Sequence, residues 1–247
     1  MTPRDRLIFA LDVDNRHEAQ ELARRLVGHV GVFKIGLELF TAEGPAMVKA
    51  ITEIGGAVFL DLKLHDIPTT VERAALNASK LGVRFLTVHA SGGRRMLEAA
   101  TRGAREGAGT GRESAKILAV TVLTSMEESD LRDIGLDGPT VSAVERLALL
   151  ADRATCFGVI ASAREASAVR AACREKFAIV TPGIRPAGAD SQDQARFETP
   201  TSAIESGSDF LVVGRPIRDA ADPVKAADAI VAEISAALPT ATLDHPG

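Results

Sequence analysis

A single (β/α)8 barrel, an α/β TIM barrel, is the architecture the sequence predicts, on three observations. Short apolar or β-branched runs alternate with longer amphipathic stretches, starting at RLIFALDV and recurring eight times along the 247 residues. Repeated strand-then-helix units are the pattern of parallel strands joined by crossover helices, and this length suits one such barrel. An open nucleotide-binding sheet wants G-x-G-x-x-G after its first strand, and LDVDNRHEAQ offers none.

The first strand is expected from Leu7 to Val13, and the helix after it shows Ala19, Leu22, Ala23 and Leu26 at three- and four-residue spacing. Val32 to Leu37 follows as strand two, with Val48 and Ile51 marking its helix. Strand three, Ala57 to Lys63, leads into a helix carrying Val71, Ala74, Ala75 and Ala78. Pro68 cannot donate to a ladder but suits the first turn of that helix. The remaining strands are expected at Phe85 to His89, Ile117 to Val122, Gly158 to Ala161, Ala178 to Thr181 and Phe210 to Val213. Between strands five and six, Thr124 to Leu150 exceeds one crossover and should hold a loop and two helical pieces. AADPVKAADAIVAEISAAL closes a barrel domain expected over residues 1–238, and the tail Pro239 to Gly247 is expected to be disordered.

Composition narrows the function classes. With 46% hydrophobic and 25% charged residues the chain can bury a large core. A net charge of −4 gives no general attraction to nucleic acid, leaving room only for a local basic pocket that takes an anion. Cys156 and Cys173 lack CxxC or Cys/His spacing, so they read as reduced, buried thiols of a cytoplasmic protein, with no zinc site and no disulfide framework. The N-terminal apolar run before Asp12 is too short for a signal or a membrane span.

FLDLKLHDIP, Phe59 to Pro68, is the stretch around which the chain is organised. Side chains alternate along a strand, so Asp61, Lys63 and His65 share one face after Phe59, while Leu60, Leu62 and Leu64 take the other. In isolation such a segment would be a solvated strand edge. Inside a parallel barrel both faces are covered, so these charges need a polar cavity and one another. Asp66 breaks the parity and sits past the strand end, at the mouth of the following loop.

Active sites of this fold lie at the C-terminal strand ends and in the loops beyond them. Asp12 is expected to end strand one, Lys34 to lie within strand two, Asp61 and Lys63 to end strand three, and Thr124 to follow strand five. His89 ends strand four, where a structural role is the ordinary one, and it carries no assignment. TPGIRPAGADSQDQ, with Arg185 and Gln194, is long enough for a mobile lid. Gly214 and Arg215 follow the last strand, where glycine lets the backbone approach a phosphate and the guanidinium pairs with it.

Taken in order, ALDVD, FKIGLELF, FLDLKLHDIPTTV, TVLTS, TPGIRP and VVGRPI resemble the orotidine 5'-phosphate decarboxylase family over nearly the whole chain. The resemblance implies a homodimeric barrel that converts orotidine 5'-monophosphate to uridine 5'-monophosphate and CO2, without metal or organic cofactor. It makes Lys63 the proton donor, with Lys34, Asp61 and Asp66 completing a charged network. It gives Asp12 and Lys34 to the ribose, Thr124 to the pyrimidine, and Arg185, Gln194, Gly214 and Arg215 to the phosphate. It brings Ile67 and Thr70 to the substrate from the loop after strand three, with Asp66 and Ile67 reaching into the neighbouring subunit's pocket.

The residue types suit that chemistry. Loss of CO2 from ring carbon 6 leaves a poorly delocalised carbanion, which a fixed cation in a water-shielded site would stabilise. Two alternatives carry a similar strand. Sugar-phosphate decarboxylases and synthases of related barrels share D-x-K-x-x-D but use Mg2+, and they place a carboxylate where this chain has Lys34, whose cation opposes a metal beside Asp61. A non-catalytic nucleotide-phosphate binding barrel would have little use for alternating charges beside an apolar pocket.

Overall fold

The computed structural model describes residues 1–186 and 198–238. Eight parallel strands close into a barrel in sequence order. They are β1 (Leu7–Ala10), β2 (Val32–Gly36), β3 (Val58–Leu64), β4 (Phe85–His89), β5 (Lys116–Val120), β6 (Gly158–Ile160), β7 (Ala178–Thr181) and β8 (Phe210–Val213). β8 returns to pair with β1 through Leu7 and Leu211, which closes the ring and leaves no sheet edge.

Helices wrap the outside. α1 (Arg16–Leu26) follows β1, α2 (Leu37–Glu43) and α3 (Pro45–Glu53) follow β2, α4 (Pro68–Lys80) follows β3, and α5 (Arg94–Ala108) follows β4. α6 (Glu128–Asp133) and α7 (Thr140–Arg153) are the two helical pieces expected after strand five. α8 (Ala163–Ala172), α9 (Pro200–Glu205), α10 (Arg215–Arg218) and α11 (Pro223–Ala237) complete the layer. The apolar stripes read from the sequence face inward: Ala19, Leu22, Ala23 and Leu26 of α1 are all buried, as are Val48 and Ile51 of α3 and Val71, Ala75 and Ala78 of α4, while Ala74 is half-buried.

The alternation of each strand divides the core in two. Ile8, Val32, Phe59, Phe85, Leu118 and Phe210 fill the barrel, while Leu7, Phe9, Phe33, Ile35 and Leu60 pack outward under the helices. Phe59, Phe85 and Phe210 form an edge-on aromatic plug, with ring centroids 5.9 and 5.2 Å apart along the chain of contacts. Polar side chains therefore stand above this plug, towards the C-terminal strand ends.

Several strands end earlier than the hydrophobic runs indicate. β1 stops at Ala10, although Leu11 and Val13 remain buried, and β5 stops at Val120 rather than Val122. Burial outlasts the hydrogen-bonded ladder because the apolar residues continue into the covered loops of the mouth. Asp12 accordingly lies two residues beyond β1 and does not end it. β3 runs one residue longer, to Leu64, so Asp61 and Lys63 lie inside the strand.

α4 and α5 pack unusually close, and the cause is two glycines. A side chain at Gly103 would run into the Glu72 carbonyl, and one at Gly107 into that of Leu76. This contact anchors the helix that begins at Pro68, directly after the Asp66 loop. Cys156 is buried, and burial pushes its thiol up to about 12. Cys173 is only half-buried, against the expectation of two buried thiols, because it caps the C-terminus of α8. Both are free. The expected tail from Pro239 lies outside the described residues.

Candidate active site

Asp12, Lys34, Asp61 and Lys63 form a chain of alternating charge across the mouths of the first three strands. Lys63 Nζ donates to Asp61 Oδ2 at 2.7 Å. Lys34 Nζ donates to Asp12 Oδ1 at 3.0 Å and stands 3.9 Å from Asp61 Oδ2. The Asp61 side chain is 12% exposed and that of Asp12 53%, so Asp61 is the inner carboxylate and Asp12 the outer one. Its other oxygen, Oδ1, accepts from the Thr87 hydroxyl at 2.9 Å. A buried carboxylate needs that degree of satisfaction.

Register explains the meeting of Lys34 with Asp61. Gly36 is paired with Asp61 across β2 and β3, and Lys34 with Phe59 one layer lower. Lys34 and Gly36 share a face, so the lysine rises past a position without a side chain. A Cβ at Gly36 would come within 3.2 Å of Lys34 Nζ and 3.8 Å of Asp12 Oδ1, tight enough to force the ammonium aside.

The charged chain forms one side of a cavity of about 290 Å³ whose other walls include Phe59, Val120, Ile160 and Val212. Thr124 and Gly214 line the same cavity, as do Pro182 and Gly183 of the loop after β7. An apolar pocket with a few convergent polar groups is the ordinary form of a small-molecule site. Fixed charge along one wall favours a substrate that develops opposite charge there.

The other expected residues stand apart from this cavity. Asp66, Ile67 and Thr70 are exposed, and the Asp66 carboxylate accepts from the Ile67 backbone N–H at 2.6 Å. Among the described residues no cation lies within ion-pairing distance of Asp66, so within one chain it does not join Lys63. Ile67 is 68% exposed, a large apolar side chain left uncovered by its own chain. Arg215 opens α10 directly after Gly214 and is exposed. Arg185 is half-buried, with its backbone N–H donating to the Glu198 carbonyl at 3.1 Å. Gln194 lies outside the described residues.

Two features escaped the reading of the sequence. Thr87 is fully buried in the barrel interior, in line with Phe85 and beneath His89, and it bonds the Asp61 carboxylate. A lone threonine in FLTVH is ordinary strand composition, so nothing local marked it. His65 and His89 stand with ring centroids 5.5 Å apart beside Lys63. Burial, then the neighbouring His65 and Lys63, holds the His89 imidazole below its usual range.

A closed eight-stranded parallel barrel with lysine and aspartate charges fixed at its C-terminal mouth defines the class: a (β/α)8 barrel with a charged site at the C-terminal ends of its strands. Comparison with known proteins narrows this further. Residues 5–230 match the family described as Orotidine 5'-phosphate decarboxylase / HUMPS family, and the chain belongs to that family. It is 53% identical to the orotidine 5'-phosphate decarboxylase of Syntrophotalea carbinolica, over 95% of this chain and 97% of that one. It is 50% identical to that of Moorella thermoacetica, over 95% and 94%. The crystal structure of the Lactobacillus acidophilus orotidine 5'-phosphate decarboxylase superposes with a TM-score of 0.84 at 40% identity, covering 92% of this chain and 98% of that one.

Proposed function

We propose that this chain is a carboxy-lyase that converts orotidine 5'-monophosphate to uridine 5'-monophosphate and CO2, a step of pyrimidine synthesis. The relatives that match it over nearly their full length carry that name. The observation that carries the proposal is the Lys63 ammonium held on Asp61 beside an apolar cavity. As the bond from ring carbon 6 to the carboxylate breaks, its electron pair stays on carbon 6 and CO2 leaves. Lys63 faces that developing charge and delivers a proton to the carbon. Asp61, with Lys34 and Asp12 beyond it, holds the ammonium in place before the charge appears.

Asp12 and Lys34 reach the ribose and Thr124 the pyrimidine in this proposal. Gly214, Arg215, Arg185 and Gln194 hold the phosphate, whose binding energy orders the reacting end. The functional unit is a homodimer in which Asp66 and Ile67 serve the partner's pocket and Thr70, in the first turn of α4, reaches the substrate. The exposure of Ile67 and the lack of a cation beside Asp66 among the described residues support that sharing. No described helix is long and apolar enough to cross a membrane, and a cytoplasmic setting without nucleic acid or lipid partners fits the acidic balance.

In this proposal the reaction needs neither metal nor organic cofactor; Lys34 Nζ, 3.0 Å from Asp12 Oδ1 and 3.9 Å from Asp61 Oδ2, supports that reading because its positive charge disfavours a divalent ion beside those carboxylates. The test is to follow the ultraviolet absorbance of orotidine 5'-monophosphate with purified protein in excess EDTA. Steady conversion to uridine 5'-monophosphate is expected. No conversion at all defeats the proposal, and conversion that stops in EDTA and returns with Mg2+ defeats its metal-free form.

A further inference from the structure

We infer that Thr87 is the positioning residue that shapes the proton donor's geometry, using one hydroxyl to hold both the backbone and the side-chain partner of Lys63. β3 and β4 fall out of register around the donor: Leu60 pairs with Leu86, but Leu64 pairs with Val88, so β3 carries two extra residues between them. An insertion of this kind bends a strand and re-aims its side chains. Lys63 lies within it and adopts φ 49°, one of two non-glycine residues with positive φ among those described. A long side chain enters that region only when its surroundings compensate the strain.

Thr87 supplies the compensation. The displaced Lys63 N–H, without a ladder carbonyl opposite, donates to Thr87 Oγ1 at 2.9 Å. The Thr87 hydroxyl proton goes to Asp61 Oδ1, also at 2.9 Å. Lys63 Nζ donates to Asp61 Oδ2 at 2.7 Å, completing a closed ring from backbone to carboxylate to ammonium. The hydroxyl's single proton is committed to Asp61, so the oxygen faces Lys63 as acceptor; donor and acceptor roles are both in use. Thr87 is fully buried and contacts the site from beneath, on the wall formed by β4. It therefore acts through Lys63 and Asp61, by setting where the ammonium stands and locking the Asp61 rotamer.

This inference rests on the decarboxylase proposal for its kinetic readout but not for its structural one. Thr87→Val keeps the shape and removes both hydrogen bonds, whereas Thr87→Ser keeps them. With orotidine 5'-monophosphate, Thr87→Val is expected to lower kcat roughly 10- to 100-fold, the scale of a misplaced reacting group, while KM stays within about threefold. Thr87→Ser is expected to recover most of kcat. A valine variant with parental kcat overturns the inference, as does a serine variant as impaired as the valine one, since bulk rather than the hydroxyl would then matter. Should valine fail to fold, Thr87→Ala carries the same comparison.

The crystal structure of the valine variant separates this inference from the proposed activity. Lys63 is expected to leave positive φ, or its Nζ to move out of hydrogen-bond distance of Asp61. Unchanged geometry at both overturns the role of Thr87 whatever the enzyme turns over. If the parent protein does not decarboxylate the nucleotide, the functional proposal falls and the crystal structure alone decides the positioning role.

Discussion

Lys63 donates to Asp61 at 2.7 Å from a backbone turned to φ 49°. Two residues that strict strand alternation would already place on one face thus meet through a local distortion that tilts the ammonium onto the carboxylate. The Asp61 side chain is nearly buried, so its charge must be compensated from within the protein, and Lys63 and Lys34 do so from two strands.

Removal of the donor is expected to be severe. Lys63→Ala should lower turnover by about 10³-fold or more, the scale for loss of a fixed charge that acts on the transition state. Circular dichroism and binding of uridine 5'-monophosphate to the variant should show an intact fold and a usable pocket. Turnover near that of the parent would remove Lys63 from its role.

Subunit mixing tests the shared site. Lys63→Ala and Asp66→Asn proteins, each inactive, are mixed under conditions that exchange subunits. About half of the dimers become mixed; each has one doubly altered site and one unaltered site, so about a quarter of all sites regain activity. If Asp66 acted within its own chain, every site would keep a lesion. A mixture as inactive as its parents, with exchange confirmed by a mass-tagged subunit, therefore refutes sharing.

At the phosphate end, Arg215→Ala should reduce kcat/KM on the order of 10- to 100-fold, the worth of one charge-assisted contact. Part of the loss should appear in kcat, because remote binding energy orders the reacting end. Steady-state kinetics on the whole nucleotide and on the phosphate-free nucleoside check this. Equal damage to both substrates would show that the arginine does not act through phosphate.

His89 makes stability depend on pH. Its imidazole is held below the usual range by burial and by neighbouring His65 and Lys63, so at mildly acidic pH the unfolded chain takes up a proton that the native chain does not. Stability then falls as pH drops below about 6.5, the unperturbed histidine value. Urea unfolding at pH 7.5 and 5.5 should show this loss, and His89→Asn should lessen it. Identical losses in the two proteins would exclude His89 as the source.

Much of the site was legible in the residues. Asp61 and Lys63 announced themselves because carboxylate and ammonium on the covered strand of a barrel demand each other. Lys34 was legible as a strand cation, but its contact with Asp61 depends on the β2–β3 register and on the missing side chain at Gly36. Strand ends were read too long at β1 and β5, since hydrophobic runs report burial and not hydrogen bonding. Asp12 was displaced into a loop for the same reason.

The sequence by itself determined the barrel, through eight repeats of strand-then-helix periodicity, and the identity of the charged residues at its mouth. Periodicity does this because each apolar stripe must find cover, and only one arrangement covers eight parallel strands without an edge. Tertiary structure alone decided the two-residue insertion in β3, the positive φ of Lys63 and the recruitment of Thr87. Thr87 lies 24 residues from Lys63 in the chain, on a strand whose composition marks nothing. Register between neighbouring strands sets that contact, and register is a property of the closed barrel rather than of either strand.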